Sequence, residues 1–301
     1  MKTLTTRFAP TPSGYLHIGN CVTFAITWLM ARGVNGKIHL RIDDLDAERT
    51  RPEYIEDIFR TLDWLELDYD FGPTSVEDFN KNHSQHTRIE IYKTYLDRLV
   101  AQNEVYACRC SRQDIRNASM NGKYLGACRN LKLKLNLETS DTAWRIKLPE
   151  SAQQIRIYDF NGEINTDIQS ISDDFIVRQK NNLPAYHLAS LVDDCLMNIN
   201  VVVRGEDLFE STAAQIYLAG RVGLNSFTEN LFIHLPLIKQ ANGEKISKSA
   251  GNASDWKMKK NETERQFIFK TAADWFKVTC KNYTAHEVLK AHLKNLFKSM
   301  E

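Results

Sequence analysis

Residues 2–42 leave this chain few folds to choose from. A β-prone run at Lys2–Phe8 is broken by Thr11-Pro12-Ser13-Gly14, and the chain then turns almost wholly apolar from Gly19 to Arg32. Val22, Phe24, Ala25, Ile26, Trp28, Leu29 and Met30 leave that segment without a polar face, and Gly33 and Gly36 close it. It predicts a helix covered on every side. A strand-helix-strand unit inside a layered sheet supplies such cover. Lys37–Ile42 alternates as the next strand. Pro52–Leu67 sets Ile55, Ile58, Phe59, Leu62 and Leu65 at helical spacing, with Pro52 suited to a first turn. Gln85–Asn103 repeats the pattern with Ile89, Tyr92, Leu96 and Leu99. The alternation predicts an α/β chain with a doubly wound parallel sheet.

The middle of the chain departs from this rhythm. From Cys108 to Asp174 the sequence is polar with short β-prone pieces, Trp144–Leu148 and Ile155–Phe160, and predicts an insertion. Alternation resumes at Phe175. We therefore expect the first half of a core at 1–104, an insertion at 105–174, the second half at 175–252 and a basic tail at 253–301. After Gly251 ten Lys or Arg stand against six Asp or Glu, and Leu289, Leu293, Leu296 and Phe297 share a helical face. No run approaches the roughly 18 apolar residues that span a bilayer, and Met1–Arg7 has no apolar h-region. A cytoplasmic protein without a membrane partner is expected. Net charge decides little: 39 basic and 38 acidic residues give +1, so nucleic acid would need a local patch.

Three segments carry chemistry. Arg7-Phe-Ala-Pro-Thr-Pro-Ser-Gly-Tyr-Leu-His17-Ile-Gly19-Asn20 lies between a predicted strand and a predicted helix. A helix beginning at Gly19 offers free N–H groups and the positive end of a dipole, His17 can donate to a phosphate oxygen, and Gly19 permits close approach of a base. Neither G-x-G-x-x-G nor G-x-x-x-x-G-K-[ST] occurs, which excludes those two nucleotide motifs. The second segment is Glu244-Lys245-Ile246-Ser247-Lys248-Ser249. Alone it reads as a solvated loop, yet two lysines there could neutralise charge on a triphosphate. The third holds Cys108, Cys110 and Cys128, three of the six cysteines within one window. In a reducing compartment such thiolates suggest Zn²⁺, with Tyr124, Asp114 or water as fourth ligand, since no histidine lies between His86 and His187.

Taken together and in this order, the first two segments resemble the HIGH and KMSKS signatures of class I aminoacyl-tRNA synthetases, here His17-Ile18-Gly19-Asn20 and Lys245-Ile246-Ser247-Lys248-Ser249. Arg7–Asn20 followed by Leu40-Arg41-Ile42-Asp43-Asp44-Leu45-Asp46 resembles the glutamyl/glutaminyl subgroup. Within it, Leu183–Ala189, Val192-Asp193-Asp194 and Val203–Leu208 are most similar to the glutamyl-queuosine tRNA(Asp) synthetase family. The resemblance runs from Arg7 to Asn252. It implies catalytic roles for His17, Gly19, Lys245 and Lys248, and ATP contacts from Pro10, His17, Gly19, Asn20, Asp207 and Lys248. It implies a glutamate pocket of Arg7, Ala9, Thr11, Asp43, Tyr186 and Arg204, and a structural zinc on Cys108, Cys110, Tyr124 and Cys128. Arg204 favours glutamate, because a neutral glutamine amide would leave its charge unpaired. Two positions depart from the glutamyl pattern, which usually has Glu at Asp43 and Ser at Thr11.

The implied reaction is attack of glutamate on ATP-Mg²⁺ to give glutamyl-adenylate, then transfer to a hydroxyl of queuosine in the anticodon of tRNA(Asp). A monomer without an anticodon-reading domain is expected. One rival is a truncated glutamyl-tRNA synthetase paralogue that charges a tRNA 3′ end or a non-RNA acceptor. The other is a non-catalytic amino-acid or tRNA-binding paralogue.

Overall fold

The computed structural model describes residues 2–119, 122–135, 141–237 and 258–298, with side chains as far as 295. β1 (Thr5–Phe8), α1 (Ile18–Gly33), β2 (Lys37–Leu40), α2 (Pro52–Leu65) and a short α3 (Val76–Asp78) come first. Next are α4 (Ile89–Ala101), β3 (Val105–Cys108), α5 (Arg112–Ala118), β4 (Ala143–Ile146), β5 (Gln154–Asp159) and β6 (Gly162–Asp167). The rest are α6 (Ile168–Ile171), β7 (Ile176–Arg178), α7 (Tyr186–Leu196), β8 (Val201–Gly205), α8 (Phe209–Val222), β9 (Leu231–Leu235), α9 (Glu262–Trp275) and α10 (Ala285–Lys298). The chain divides into two units: Met1–Gln85, Ile199–Glu206 and Ile233–Glu301 form unit 1, and His86–Asn198 with Asp207–Phe232 form unit 2.

Unit 1 holds the expected strand-helix-strand. β1 and β2 pair in parallel, Thr5 opposite Lys37 and Phe8 opposite Leu40. The hydrogen bonding continues past both strands, with Arg41 N–H donating to Phe8 O at 2.9 Å and Asp43 N–H to Pro10 O at 2.9 Å. β8 joins beside β1 through Asn200, whose N–H donates to Thr5 O at 3.0 Å and whose Oδ1 accepts Thr5 N–H at 2.9 Å. The apolar α1 packs against β1, β2 and β8 as well as α9 and α10, which explains its lack of a polar face. α2 begins on Pro52 and ends on Leu65, two residues short of expectation, because Glu66 adopts the left-handed conformation with φ 57°.

Unit 2 is less regular. β3, β4 and β7 form an antiparallel sheet, and β5 and β6 an antiparallel hairpin turning at Gly162, whose φ of 131° suits glycine. Tyr158 and Asp159 of β5 also pair in parallel with Leu231 and Phe232. The α/β expectation therefore holds with parallel pairing in part; the expected insertion 105–174 supplies the antiparallel strands β3 to β6, and β7 lies just beyond it. The predicted helix over Gln85–Asn103 starts as a 3₁₀ turn, Gln85–Arg88, and turns α-helical at Ile89. α4 and α7 are tied by Asp193, which is fully buried and accepts Arg88 Nε at 2.8 Å, Arg88 Nη2 at 3.0 Å and Tyr92 Oη at 2.7 Å.

The tail is helical, but the buried side of α10 runs through Ala285, Val288 and His292, with Leu289 and Leu293 only half-buried. The side chains of Leu296 and Phe297 lie outside the described residues. His292 stacks on Phe276, centroids 4.1 Å apart, and burial pushes its imidazole below the ordinary value. Among the described residues no helix is long and apolar enough to cross a membrane.

Candidate active site and metal centre

Parallel strands gather ligand-binding groups at their carboxyl ends, where the following loops begin. In unit 1 that end collects three of the expected charged residues. Arg7 lies near the end of β1, Asp43 three residues beyond β2, and Arg204 on β8, all of them buried. Arg7 Nη1 donates to Val203 O at 3.4 Å, placing the first guanidinium beside the strand that carries the second. Asp43 is level with Pro10 through the backbone bond already given. Ala9 is half-buried, Pro10 buried, and Thr11 exposed with its carbonyl accepting Ser13 N–H at 2.9 Å.

One neighbour escaped the sequence reading. Arg41 grips Asp43 with two donors, Nε to Oδ1 at 2.7 Å and Nη2 to Oδ2 at 3.1 Å, and both side chains are buried. Asp43 is thus a buried carboxylate with its own cation, and an arriving ammonium would share it. The i, i+2 spacing in Arg41-Ile42-Asp43 was the available signal, since it puts both residues on one side of an extended segment. Asp44 points to other partners: it accepts Ser84 Oγ at 2.5 Å and Gln85 N–H at 2.7 Å.

His17 is the N-cap of α1, with extended φ −115° and ψ 167°. Its Nδ1 accepts Asn20 N–H at 3.4 Å, and Asn20 Oδ1 accepts His17 N–H at 3.2 Å, a reciprocal cap. With Nδ1 accepting, the proton of the neutral ring sits on Nε2, the nitrogen suited to a phosphate oxygen. Gly19 serves a purpose the sequence did not show. A Cβ there would lie 2.9 Å from His17 Cε1, so glycine makes room for the capping imidazole. The first turn of α1 carries no acidic residue, which leaves its dipole unopposed for an anion.

The remaining site residues fall elsewhere or outside. Tyr186 begins α7 in unit 2, is 39% exposed, and sets its ring 5.6 Å from that of His187. Asp207 is exposed in the 3₁₀ turn Glu206–Leu208, also in unit 2. Lys245 and Lys248 lie outside the described residues.

The cysteine window closes on itself in unit 2. The Sγ atoms of Cys108, Cys110 and Cys128 lie within 4.8 Å of one another, and Cys110 and Cys128 are 3.5 Å apart. Tyr124 Oη is 3.4 Å from Cys108 Sγ and accepts Cys128 N–H at 2.8 Å. Asp114, the other side-chain candidate, is spent on α5: it completes a capping box with Ser111, its Oδ2 accepting Ser111 N–H at 2.7 Å. Of the two side chains, only Tyr124 stands with the thiols. Arg145 lies over the Tyr124 ring at 3.8 Å, and Tyr106, packed in the same cluster, donates to Asp174 Oδ2 at 2.6 Å. Burial and the adjacent thiols push Cys110 up to about 12.

Residues 3–289 match the family model described as class I tRNA synthetases (E and Q), catalytic domain. A glutamate–tRNA ligase of Natranaerobius thermophilus is 36% identical over 258 residues, 82% of this chain and 52% of the relative. A Glutamyl-Q tRNA(Asp) synthetase of Nitratidesulfovibrio vulgaris is 34% identical over 257 residues, 80% of this chain and 76% of the relative. The chain thus spans about half the length of the glutamate–tRNA ligase it matches. The crystal structure of a glutamate–tRNA synthetase from Elizabethkingia anophelis superposes with a TM-score of 0.74 over 96% of this chain and 66% of that one, at 24% identity, a likeness of fold. The capped α1, the gathered arginines and this match over most of its length agree: the chain belongs to the catalytic-domain family of the glutamyl- and glutaminyl-type class I tRNA synthetases.

Proposed function

We propose that this protein activates glutamate with ATP and transfers the glutamyl group to queuosine in the anticodon of tRNA(Asp). The observation that carries the amino-acid half is the burial of Arg7, Arg204 and Asp43 at one end of unit 1. Glutamate carries two carboxylates and one ammonium, the inverse of that set. In this reading Arg7 and Arg204 take the carboxylates, while Asp43, oriented by Arg41, takes the ammonium. Ala9 and Thr11 line the same turn, and Tyr186 offers its hydroxyl.

The first step forms a bond between a glutamate α-carboxylate oxygen and the α-phosphorus of ATP, and pyrophosphate leaves. His17 Nε2 and the first turn of α1 steady the phosphates, joined by Pro10, Gly19, Asn20 and Asp207 around the nucleotide. Mg²⁺ arriving with ATP neutralises charge on the departing pyrophosphate. Lys245 and Lys248 add positive charge to the same oxygens. The acceptor hydroxyl then attacks the acyl carbon and AMP departs. Glutamate-dependent pyrophosphate exchange should proceed without tRNA, and Lys248→Ala should slow it about 10²-fold, the scale of one lost charge stabiliser. Equal rates in the two proteins would remove Lys248 from the mechanism.

The name carried by the Nitratidesulfovibrio relative supports the acceptor half. Labelled glutamate, ATP and total tRNA, followed by mapping of the labelled nucleotide, tests it. Label on a 3′-terminal adenosine would instead support the truncated-synthetase reading, which the glutamate–tRNA ligase match favours.

We further infer that Cys108, Cys110, Cys128 and Tyr124 hold one structural Zn²⁺. Zn–S bonds of about 2.3 Å put tetrahedral ligands about 3.8 Å apart, and the observed 3.5 Å between Cys110 and Cys128 and 3.4 Å between Cys108 and Tyr124 need little adjustment. The ion would draw β3, which ends on Cys108, and the 124–128 loop together. Purified protein should carry about one zinc per chain, and Cys128→Ser should release it. Metal analysis finding none in protein prepared without chelator would overturn the assignment.

A further inference from the structure

Asp57 is a carboxylate on the buried side of α2, 3% exposed, in a position the sequence pattern gives to the core. A buried carboxylate is costly unless donors surround it. Asp57 has two from distant parts of unit 1. Leu16 N–H, the peptide group just before His17, donates to Oδ2 at 3.1 Å. Lys260 Nζ, just before α9, donates to Oδ1 at 2.7 Å.

The lysine is itself held in place. Lys260 takes the left-handed backbone conformation, φ 53°, which a side chain with a Cβ adopts only when its surroundings impose it. Glu264 Oε2 accepts Lys260 N–H at 2.7 Å, and Glu264 is fixed in turn by Asn261, the cap of α9, at 2.9 Å. Two residues before Lys260, Met258 is buried with its sulfur 3.9 Å from that of Cys21 on α1. One carboxylate thereby connects the residue that leads into the His17 cap, the middle of α2 and the entry to α9.

From this juxtaposition we propose that Asp57 and Lys260 are positioning residues that set the His17-capped end of α1 for ATP; the proposal rests on the function given above. Neither need touch substrate. Asp57 fixes the peptide plane at Leu16, and the next residue carries the imidazole aimed at phosphate. Lys260 holds the carboxylate in that orientation. Phosphate contacts depend steeply on placement, so a slip of a few tenths of an ångström at Leu16 would be felt as weaker nucleotide binding. Arg7, Asp43 and Arg204 sit on or beyond other strands, so glutamate should not register the change.

The test compares wild type with Asp57→Asn, Lys260→Met and Lys260→Arg, reading ATP affinity by calorimetry alongside pyrophosphate exchange and thermal unfolding. Asp57→Asn turns an acceptor into a donor facing Leu16 N–H or Lys260. Lys260→Met keeps the aliphatic stem and removes only the ammonium, so it stands in if Asp57→Asn does not fold. Both should weaken ATP binding about tenfold and lower kcat about tenfold, with the KM for glutamate within twofold of wild type. Lys260→Arg, which can still reach Oδ1, should restore ATP affinity to within about twofold. Folded variants that bind ATP as tightly as wild type, showing only a lowered Tm, would overturn the proposal. A wild-type protein that binds ATP without activating glutamate would overturn the proposed reaction instead, and the ATP affinities of the variants would still decide this inference.

Discussion

Arg204→Ala should lower kcat/KM for glutamate by about 10²–10³-fold while ATP affinity stays within about twofold. Arg204 is 4% exposed on a strand where it follows buried Val202 and Val203, so water cannot easily replace its guanidinium. Removing one partner of a buried charge pair leaves the other desolvated and unmatched, a loss of about 2–5 kcal/mol, and each 1.36 kcal/mol is tenfold in rate. The ligand's carboxylate is the group left stranded. ATP should be spared, because Arg204 is not among its expected contacts, four of which, Pro10, His17, Gly19 and Asn20, lie at or just before the capped end of α1. Steady-state exchange kinetics at varied glutamate and varied ATP separate the two. The pocket reading fails if the variant uses glutamate normally, or if the unmutated protein activates glutamine or aspartate equally well.

Withholding queuosine from the tRNA should abolish acceptance outright. Transfer requires a hydroxyl at the acyl carbon, and in the proposed reaction that hydroxyl belongs to the cyclopentenediol of the modified base. A loop base can leave its stack and enter a cleft at modest cost, which is why single-stranded loops are the usual targets of RNA recognition. Arg109, Arg112 and Arg116 are exposed on and beside α5 and can contact phosphates, so transfer should also weaken as salt rises. Total tRNA from cells unable to make queuosine should therefore take up no labelled glutamate. Queuosine-containing tRNA whose 3′-terminal ribose has been oxidised while the diol was protected, and whose diol has then been freed, should accept it normally. Glutamate on the 3′ end of unmodified tRNA(Glu) would assign the protein to the truncated-synthetase reading.

The sequence showed best what depends on local pattern. The apolar run of α1 and the spacing within α2 gave those helices to within about two residues, because core-facing periodicity and Pro/Gly punctuation act over short range. The gathering of the three cysteines was legible for the same reason, since it follows from residue type and short spacing. What stayed hidden was pairing over long separation. Nothing in Asp57 marks Lys260 as its partner, since the two are brought together only when α9 packs on α1. Arg41 hid behind Asp43 for another reason, as a charge two residues from a charge is commonplace on any surface. The choice between Tyr124 and Asp114 turned on the Ser111 cap, a backbone detail that composition does not carry. In α10 the leucines suggested a face that the structure gives to Ala285, Val288 and His292 instead, because the histidine ring packs at a tilt against Phe276 and counts as apolar there.

The packing of α9 and α10 on α1 also imposes a timetable on synthesis. Helix α1 is among the most apolar of the described helices, and the helices α9 and α10 that cover it are encoded roughly 230 residues later, from Glu262 onward. At about 5–20 residues per second that interval is about 10–50 s. Throughout it, the flank of α1 that α9 will cover has no native partner, whereas β1 and β2 are already present to shelter the other flank. A nascent chain in that interval offers an apolar flank to any holding chaperone until α9 and α10 follow, and the capped end of α1 gains its contact with Lys260 only then.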